Sequence, residues 1–203
     1  MDYDELIRRL RARNALIVHF SHHAKMREGG IFPADLHAAI ANSRAWPLSC
    51  CVVWPGHKMS LPGSVGVVLR PRSIASIVGV GKSDIGSTTM ADGSQGSLGE
   101  KLSEESFAKT FDVAEGDYNE WRMIESDVVA VYVTALPLLA KRHVEVRDPD
   151  DGTLMGLDIS SEKVEFPAIV EAFPELPILT MTPTGIMALN YPANAIYPWP
   201  PMG

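Results

Sequence analysis

The sequence predicts an α+β fold: a mixed, mainly antiparallel β-sheet with peripheral short helices. Two observations carry this. Strand-like runs outnumber the helices that could cross over between parallel neighbours. No GxGxxG follows a strand, and no P-loop sequence occurs, so the usual signs of a doubly wound parallel sheet are missing. With 203 residues, the chain fits a single domain over 1–203.

Residues 2–14 predict a helix. Asp2 and Glu5 have capping-box spacing, and Leu6, Ile7 and Leu10 form one apolar stripe. Arg8, Arg9, Arg11 and Arg13 load the later turns with positive charge, which suits the helix dipole. Residues 16–20 are the first strand, and a histidine cluster leaves it: His19, His22 and His23 are three of the chain's six histidines. Residues 24–28 predict a short helix stopped by Gly29-Gly30. Residues 33–44 predict a second helix, with Pro33 at its start and Leu36, Ala39 and Ile40 on one face.

Strands follow at 49–54, 64–69 and 73–80, separated by the turns Pro55-Gly56 and Pro62-Gly63 and by Arg70-Pro71-Arg72. Residues 81–99 are rich in Gly, Ser and Thr and lack periodicity. A segment of that length is either functional or disordered, and both readings stand. Residues 103–111 predict a helix capped by Ser103 or Ser106. Strands at 121–124 and 128–134 flank a turn at 125–127. Residues 136–142 predict a short helix or an extended connector. Residues 143–147 and 153–159 predict a hairpin around Asp151-Gly152. Residues 168–173 predict a short helix. From Pro174 onward the prolines predict an irregular wrap. The chain thus divides into a core over 15–134 and a C-terminal hairpin and proline-rich wrap over 135–203.

Composition narrows the function. Apolar residues make up 46% and charged residues 21%, ordinary for a globular protein, and the net charge is −7. That charge argues against a broad duplex-binding face, which would be basic. The two cysteines, Cys50 and Cys51, are adjacent, so a disulfide framework is not expected and a reducing, cytoplasmic setting is. The N-terminus is not expected to be a signal peptide, and no apolar run is long enough to span a bilayer.

Four constellations bear chemistry. At 19–23, imidazoles and Ser21 stand at a strand exit, where they can hold a hydroxyl, accept a proton or bind a metal. At 117–122, Glu120 lies between Asn119 and Trp121 at a strand mouth; the plain reading is a surface pair with Arg122. Cys50, Cys51 and His57 match no compact zinc spacing, so no metal is expected, and cysteines in an apolar strand are more often structural than nucleophilic. Residues 83–97 offer hydroxyls and main-chain donors, with Arg70 and Arg72 nearby as anion contacts.

The order of these pieces resembles the mono-ADP-ribosyltransferase fold, histidine type, which includes toxin-like and DNA-modifying members. The resemblance spans about 15–134 and rests on VHFSH and DYNEWR. It implies a split sheet, NAD as substrate, His19 on the ribose and Glu120 as the catalytic glutamate. It further implies a cofactor site drawn from His19, Phe20, Ser21, Trp54 and Arg70, Phe20 or Trp54 taking the place of the aromatic that packs on nicotinamide. Residues 81–117 would face a macromolecular acceptor, a protein or single-stranded nucleic acid, with no membrane involved. Where the family carries Gln or Glu two residues before the glutamate, this chain has Tyr118. The resemblance requires His19 and Glu120 to come together. Two rivals stand beside it: a non-catalytic partner-binding module, and a nuclease or phosphodiesterase using His19 or His22.

Overall fold

A computed structural model describes residues 1–21, 33–44, 46–85, 99–114, 117–134 and 138–190. The predicted helix at 24–28, and His22 and His23, lie outside the described residues, as do 86–98 and 191–203. Within them the chain is α+β, with four α-helices, an eight-stranded sheet and a two-stranded one.

Helix α1 (Tyr3–Ala12) begins as its sequence dictates: the Asp2 carboxylate accepts the Glu5 N–H at 2.8 Å. The Glu5 carboxylate bonds Arg8 and Arg9 instead of completing the box. Leu6, Ile7 and Leu10 are buried. The other helices are α2 (Ala34–Asn42), α3 (Glu104–Thr110, capped by Ser103) and α4 (Phe166–Ala172).

The strands of the large sheet are β1 (Leu16–Phe20), β2 (Leu48–Val53), β3 (Val65–Pro71), β4 (Ile77–Gly81), β5 (Glu120–Met123), β6 (Ser126–Val133), β9 (Ile178–Thr182) and β10 (Gly185–Asn190). Their order is β10-β9-β6-β3-β1-β2-β5-β4. Neighbours are antiparallel except β6 and β9, which makes the sheet mixed. Strand β1 is central, and all five of its residues are buried. Its ladder with β2 is registered from Leu16↔Val53 to Val18↔Cys51, whereas its ladder with β3 continues to Phe20↔Gly66. The β1–β2 seam therefore parts just before His19.

Helix α3 covers one face of this sheet. The Trp121 indole donates to Thr110 Oγ1 at 3.0 Å, and Arg13 at the end of α1 lies 4.7 Å from the Phe111 ring centroid.

Four expectations change. Ser73 does not start a strand: Ser73 and Ser76 exchange side-chain-to-main-chain bonds around a 3-10 turn at Ile74–Ser76, and β4 starts after it. Arg70 and Pro71 do not break β3, because Asp127 on β6 holds both Arg70 and Arg72 across the ladder. Of the two readings of 136–142, residues 138–142 take the extended one and, more than a connector, begin β7 (Leu138–Arg147), which pairs with β8 (Leu154–Val164) in a hairpin longer than predicted. The turn expected at Asp151-Gly152 is present, with Gly152 at φ 72°. Most substantially, the segment after Pro174 is not simply a wrap: β9 and β10 extend the main sheet. Pro177 and Pro183 fall just outside β9, where a missing N–H interrupts no ladder bond, and the Pro177 carbonyl accepts the Val131 N–H.

Candidate functional site

The site is built where β1, β2 and β5 lie side by side. Val18 is registered with Cys51, and Ser49 with Arg122. Side chains alternate along a strand. Ser49, Cys51, Glu120 and Arg122 therefore share one face, and His19, Cys50 and Trp121 the other. His19 and Glu120 start from opposite faces rather than facing one open cleft.

Ser49 joins them. Its carbonyl oxygen lies 2.7 Å from His19 Nδ1, and its hydroxyl donates to Glu120 Oε1 at 2.6 Å. The imidazole thus reaches β2 where the β1–β2 ladder has ended. This contact requires an N–H on Nδ1, since a carbonyl only accepts, which fixes the tautomer or the protonated form.

Glu120 is the first residue of β5 and is 1% exposed. A carboxylate so buried needs compensation. Arg122 Nη2 and the Ser49 hydroxyl hold Oε1, the former at 2.9 Å, and the Ile85 N–H donates to Oε2 at 2.6 Å. The pairing of Glu120 with Arg122 expected at the surface exists, but it is buried: the two side chains are 2% and 13% exposed.

The strand mouth is set by Asn119, which is fully buried. Its side-chain amide takes the place of a strand partner for Val52, accepting the Val52 N–H at 2.7 Å and donating to the Val52 carbonyl at 2.8 Å. Tyr118 donates its hydroxyl to Asp84 Oδ2 at 3.0 Å. Burial, and then that bond, push the phenol up to about 12, so it stays a donor at neutral pH.

The remaining candidates separate. Ser21 sits at the β1 exit and donates to Asp35 Oδ2 at the start of α2. Phe20 is a core residue packed edge-on to Tyr132 at 5.9 Å. Trp54 packs against Phe111 at 4.9 Å and His57 at 5.6 Å. Arg70 pairs with Asp127 three residues along β3 from the partner of His19, about 10 Å away at strand rise. His19 and Ser21 thus stand at the β1 exit, while Glu120 reaches Ser49 from β5 on the other side of β2; Phe20, Trp54 and Arg70 are engaged elsewhere.

Burial pushes the Cys50 thiol well above its ordinary range and the Cys51 thiol up to about 12, which withholds the thiolate a cysteine nucleophile needs. Among the described residues no group of three or more His, Cys, Asp or Glu is placed to hold a metal, and no helix is long and apolar enough to cross a membrane.

Sequence reasoning passed over Ser49 and Asn119, and it offered Ile85 only as one of the main-chain donors of residues 83–97. Ser49 carried no signal beyond being a small polar residue in an apolar strand. Asn119 had one: an amide immediately before the strand start, where a side chain can substitute for a ladder bond. Comparison with family models, with curated proteins and with solved structures finds no match for this chain.

Proposed function

We propose that the chain is an NAD-consuming enzyme, an ADP-ribosyltransferase or NAD glycohydrolase, working at the seam where β1 and β2 part. The observation that carries the reading is Ser49, which binds the strand-exit histidine through its carbonyl and the strand-head glutamate through its hydroxyl. The two residues singled out by the resemblance thus share one partner.

The chemistry suits this set. The bond between ribose C1′ and nicotinamide breaks, its electron pair leaves with nicotinamide, and positive charge develops on the ribose. Glu120, fixed between Ser49 and Arg122, is a preorganised carboxyl group that needs no rearrangement as that charge appears. Its Oε2 accepts the Ile85 N–H and can accept a ribose hydroxyl instead. His19 positions the sugar. The acceptor nucleophile then bonds C1′ and gives up its proton, with Glu120 as the base. In a transferase the acceptor is macromolecular; in a glycohydrolase it is water. The free, buried cysteines fit a cytoplasmic setting.

The test is incubation with NAD labelled on the adenylate side, with and without cell lysate. Wild type is expected to release nicotinamide or to label protein or nucleic acid, and Glu120→Gln to do neither. Absence of both products from wild type overturns the proposal.

One observation favours a partner-binding role. Val146, Leu154 and Met155 are 45%, 49% and 66% exposed around the β7–β8 turn. That apolar tip suits contact with another macromolecule, whether acceptor or partner. Binding that survives Glu120→Gln, with no turnover in wild type, would select the partner role.

A further inference from the structure

Among the described residues, the Glu120 carboxyl group is held by the Arg122 guanidinium, the Ile85 N–H and the Ser49 hydroxyl. Of these, the hydroxyl becomes a nucleophile once it loses its proton. A serine hydroxyl is weak until a base within about 2.6–3.2 Å takes that proton, and the Ser49 hydroxyl donates to Glu120 Oε1 at 2.6 Å. Exposure divides the two roles. Glu120 is 1% exposed, whereas Ser49 is half-buried, so Ser49 is the member of the pair that a bulky electrophile meets first. The ladder is also incomplete on that side. The β1–β2 register ends at Val18↔Cys51, two residues short of Ser49. There the Ser49 carbonyl meets a side chain of β1, His19 Nδ1 at 2.7 Å, where a complete ladder would place a main-chain N–H. Neighbouring nucleophiles lack this arrangement. Cys50 and Cys51 are buried, and the Cys50 thiol donates to the Leu48 carbonyl at 3.6 Å. Ser21 also donates to a carboxyl group, but to that of Asp35 on α2, which among the described residues shares no partner with Glu120.

We infer that the chain is its own acceptor: the Ser49 hydroxyl takes the ADP-ribosyl group, and Glu120 Oε1 takes the hydroxyl proton. This rests on the NAD reading of the site and names an acceptor for it. The bond from ribose C1′ to nicotinamide breaks, and its electron pair leaves with nicotinamide. A lone pair on Ser49 Oγ forms the new bond to C1′. The Oγ proton passes to Oε1 along the hydrogen bond already present, so no further reactant is needed. His19, bound to the carbonyl of the same residue, holds the ribose beside the attacking oxygen. The product is an O-glycoside, in which Ser49 has no hydrogen left to give Glu120. Modification therefore closes the site, and release of nicotinamide by the chain alone is stoichiometric rather than catalytic.

The test is incubation of the full chain, purified and without lysate, with NAD labelled on the adenylate side, read by intact mass and by fragment spectra. Wild type is expected to gain a single ADP-ribosyl group on Ser49. That group should survive hydroxylamine, which cleaves carboxylate esters but not O-glycosides. Nicotinamide release should level off at the amount of protein. Ser49→Cys keeps a nucleophile at the position and should carry the group as a thioglycoside, released by mercuric ion. Ser49→Ala should lose the label and Ser21→Ala should keep it. Because Ser49→Ala also removes a bond to Glu120, the position mapped in wild type decides the question. A group on Ser21 or any other residue in place of Ser49, or one removed by hydroxylamine, overturns the inference. So does nicotinamide released while Ser49 stays unmodified, and the NAD reading then stands. If wild type neither releases nicotinamide nor acquires label, alone or with lysate, the NAD reading falls and self-modification falls with it.

Discussion

Glu120→Gln separates the charge of this side chain from its shape, and its cost to stability can be worked out. Glu120 and Arg122 are 2.9 Å apart, with side chains 2% and 13% exposed. Removing one member of a buried pair costs about 3–5 kcal/mol when the other charge is stranded. Glutamine softens this: its carbonyl still accepts from Ser49 or Ile85, though without the strength that charge lends such bonds. The expected loss is therefore about 2–3 kcal/mol, below the full range of about 3–5 kcal/mol. With a urea m-value of about 2 kcal/mol/M, the unfolding midpoint falls by roughly 1–1.5 M. Adding Arg122→Met removes the charge facing the amide and should restore about 1 kcal/mol or more, a coupling that a double-mutant cycle isolates. Urea unfolding followed by tryptophan fluorescence reads all four proteins. A Glu120→Gln variant that unfolds at the wild-type midpoint would refute the argument that the pair is buried and mutually dependent. Domains hold about 5–15 kcal/mol in total, so the variant remains folded in buffer, and its NAD assay compares two folded proteins.

Three other outcomes follow from the same structure. Asn119→Ala leaves both the N–H and the carbonyl of buried Val52 unanswered, and each such group costs about 1–3 kcal/mol; a urea midpoint close to wild type would show that the amide does not carry that ladder position. Gly66→Ala places a Cβ within 2.5 Å of the His19 carbonyl oxygen and 2.8 Å of Val18 Cγ1, so β1 must shift; thermal unfolding should show a loss of about 1–3 kcal/mol, the usual range for overpacking. At Asp127, burial pushes the carboxyl up, but hydrogen bonds from Arg72 and Arg70 outweigh it and hold the group below its ordinary range. The stability it contributes is present above the unfolded value of about 3.9 and is lost as pH falls through the lower folded value. The gap in urea midpoint between wild type and Asp127→Asn should thus be steady from pH 7 to 5 and close below pH 4.

Legibility in the sequence tracked the range of the interaction. Asp2 caps α1 through a residue three positions away, and Gly152 turns the β7–β8 hairpin by its own backbone freedom. The apolar run at 16–20 marked a strand; its burial and its place inside the sheet are the structure's. The errors arose where a local preference was overruled by a distant partner. Arg70 and Pro71 remain in β3 because Asp127, 57 positions from Arg70, pairs across the ladder. Residues 178–190 form strands because β9 finds the free edge of β6, a partner that counting prolines could not reveal.

The site divides the same way. The sequence by itself determined that an imidazole stands at the end of a strand at His19 and that a carboxyl group heads another at Glu120, because residue type and short-range pattern depend on adjacent positions alone. Only the tertiary structure decided that β2 lies between them, and that Ser49, 71 positions before Glu120, receives both. It also decided that the Glu120–Arg122 pair is buried rather than solvated, and that a residue 35 positions upstream of Glu120, Ile85, donates its N–H to that carboxyl group. Strand order and register bring these groups together. They are settled by ladder bonds and burial between segments far apart in the chain, which a pattern along a single strand does not contain.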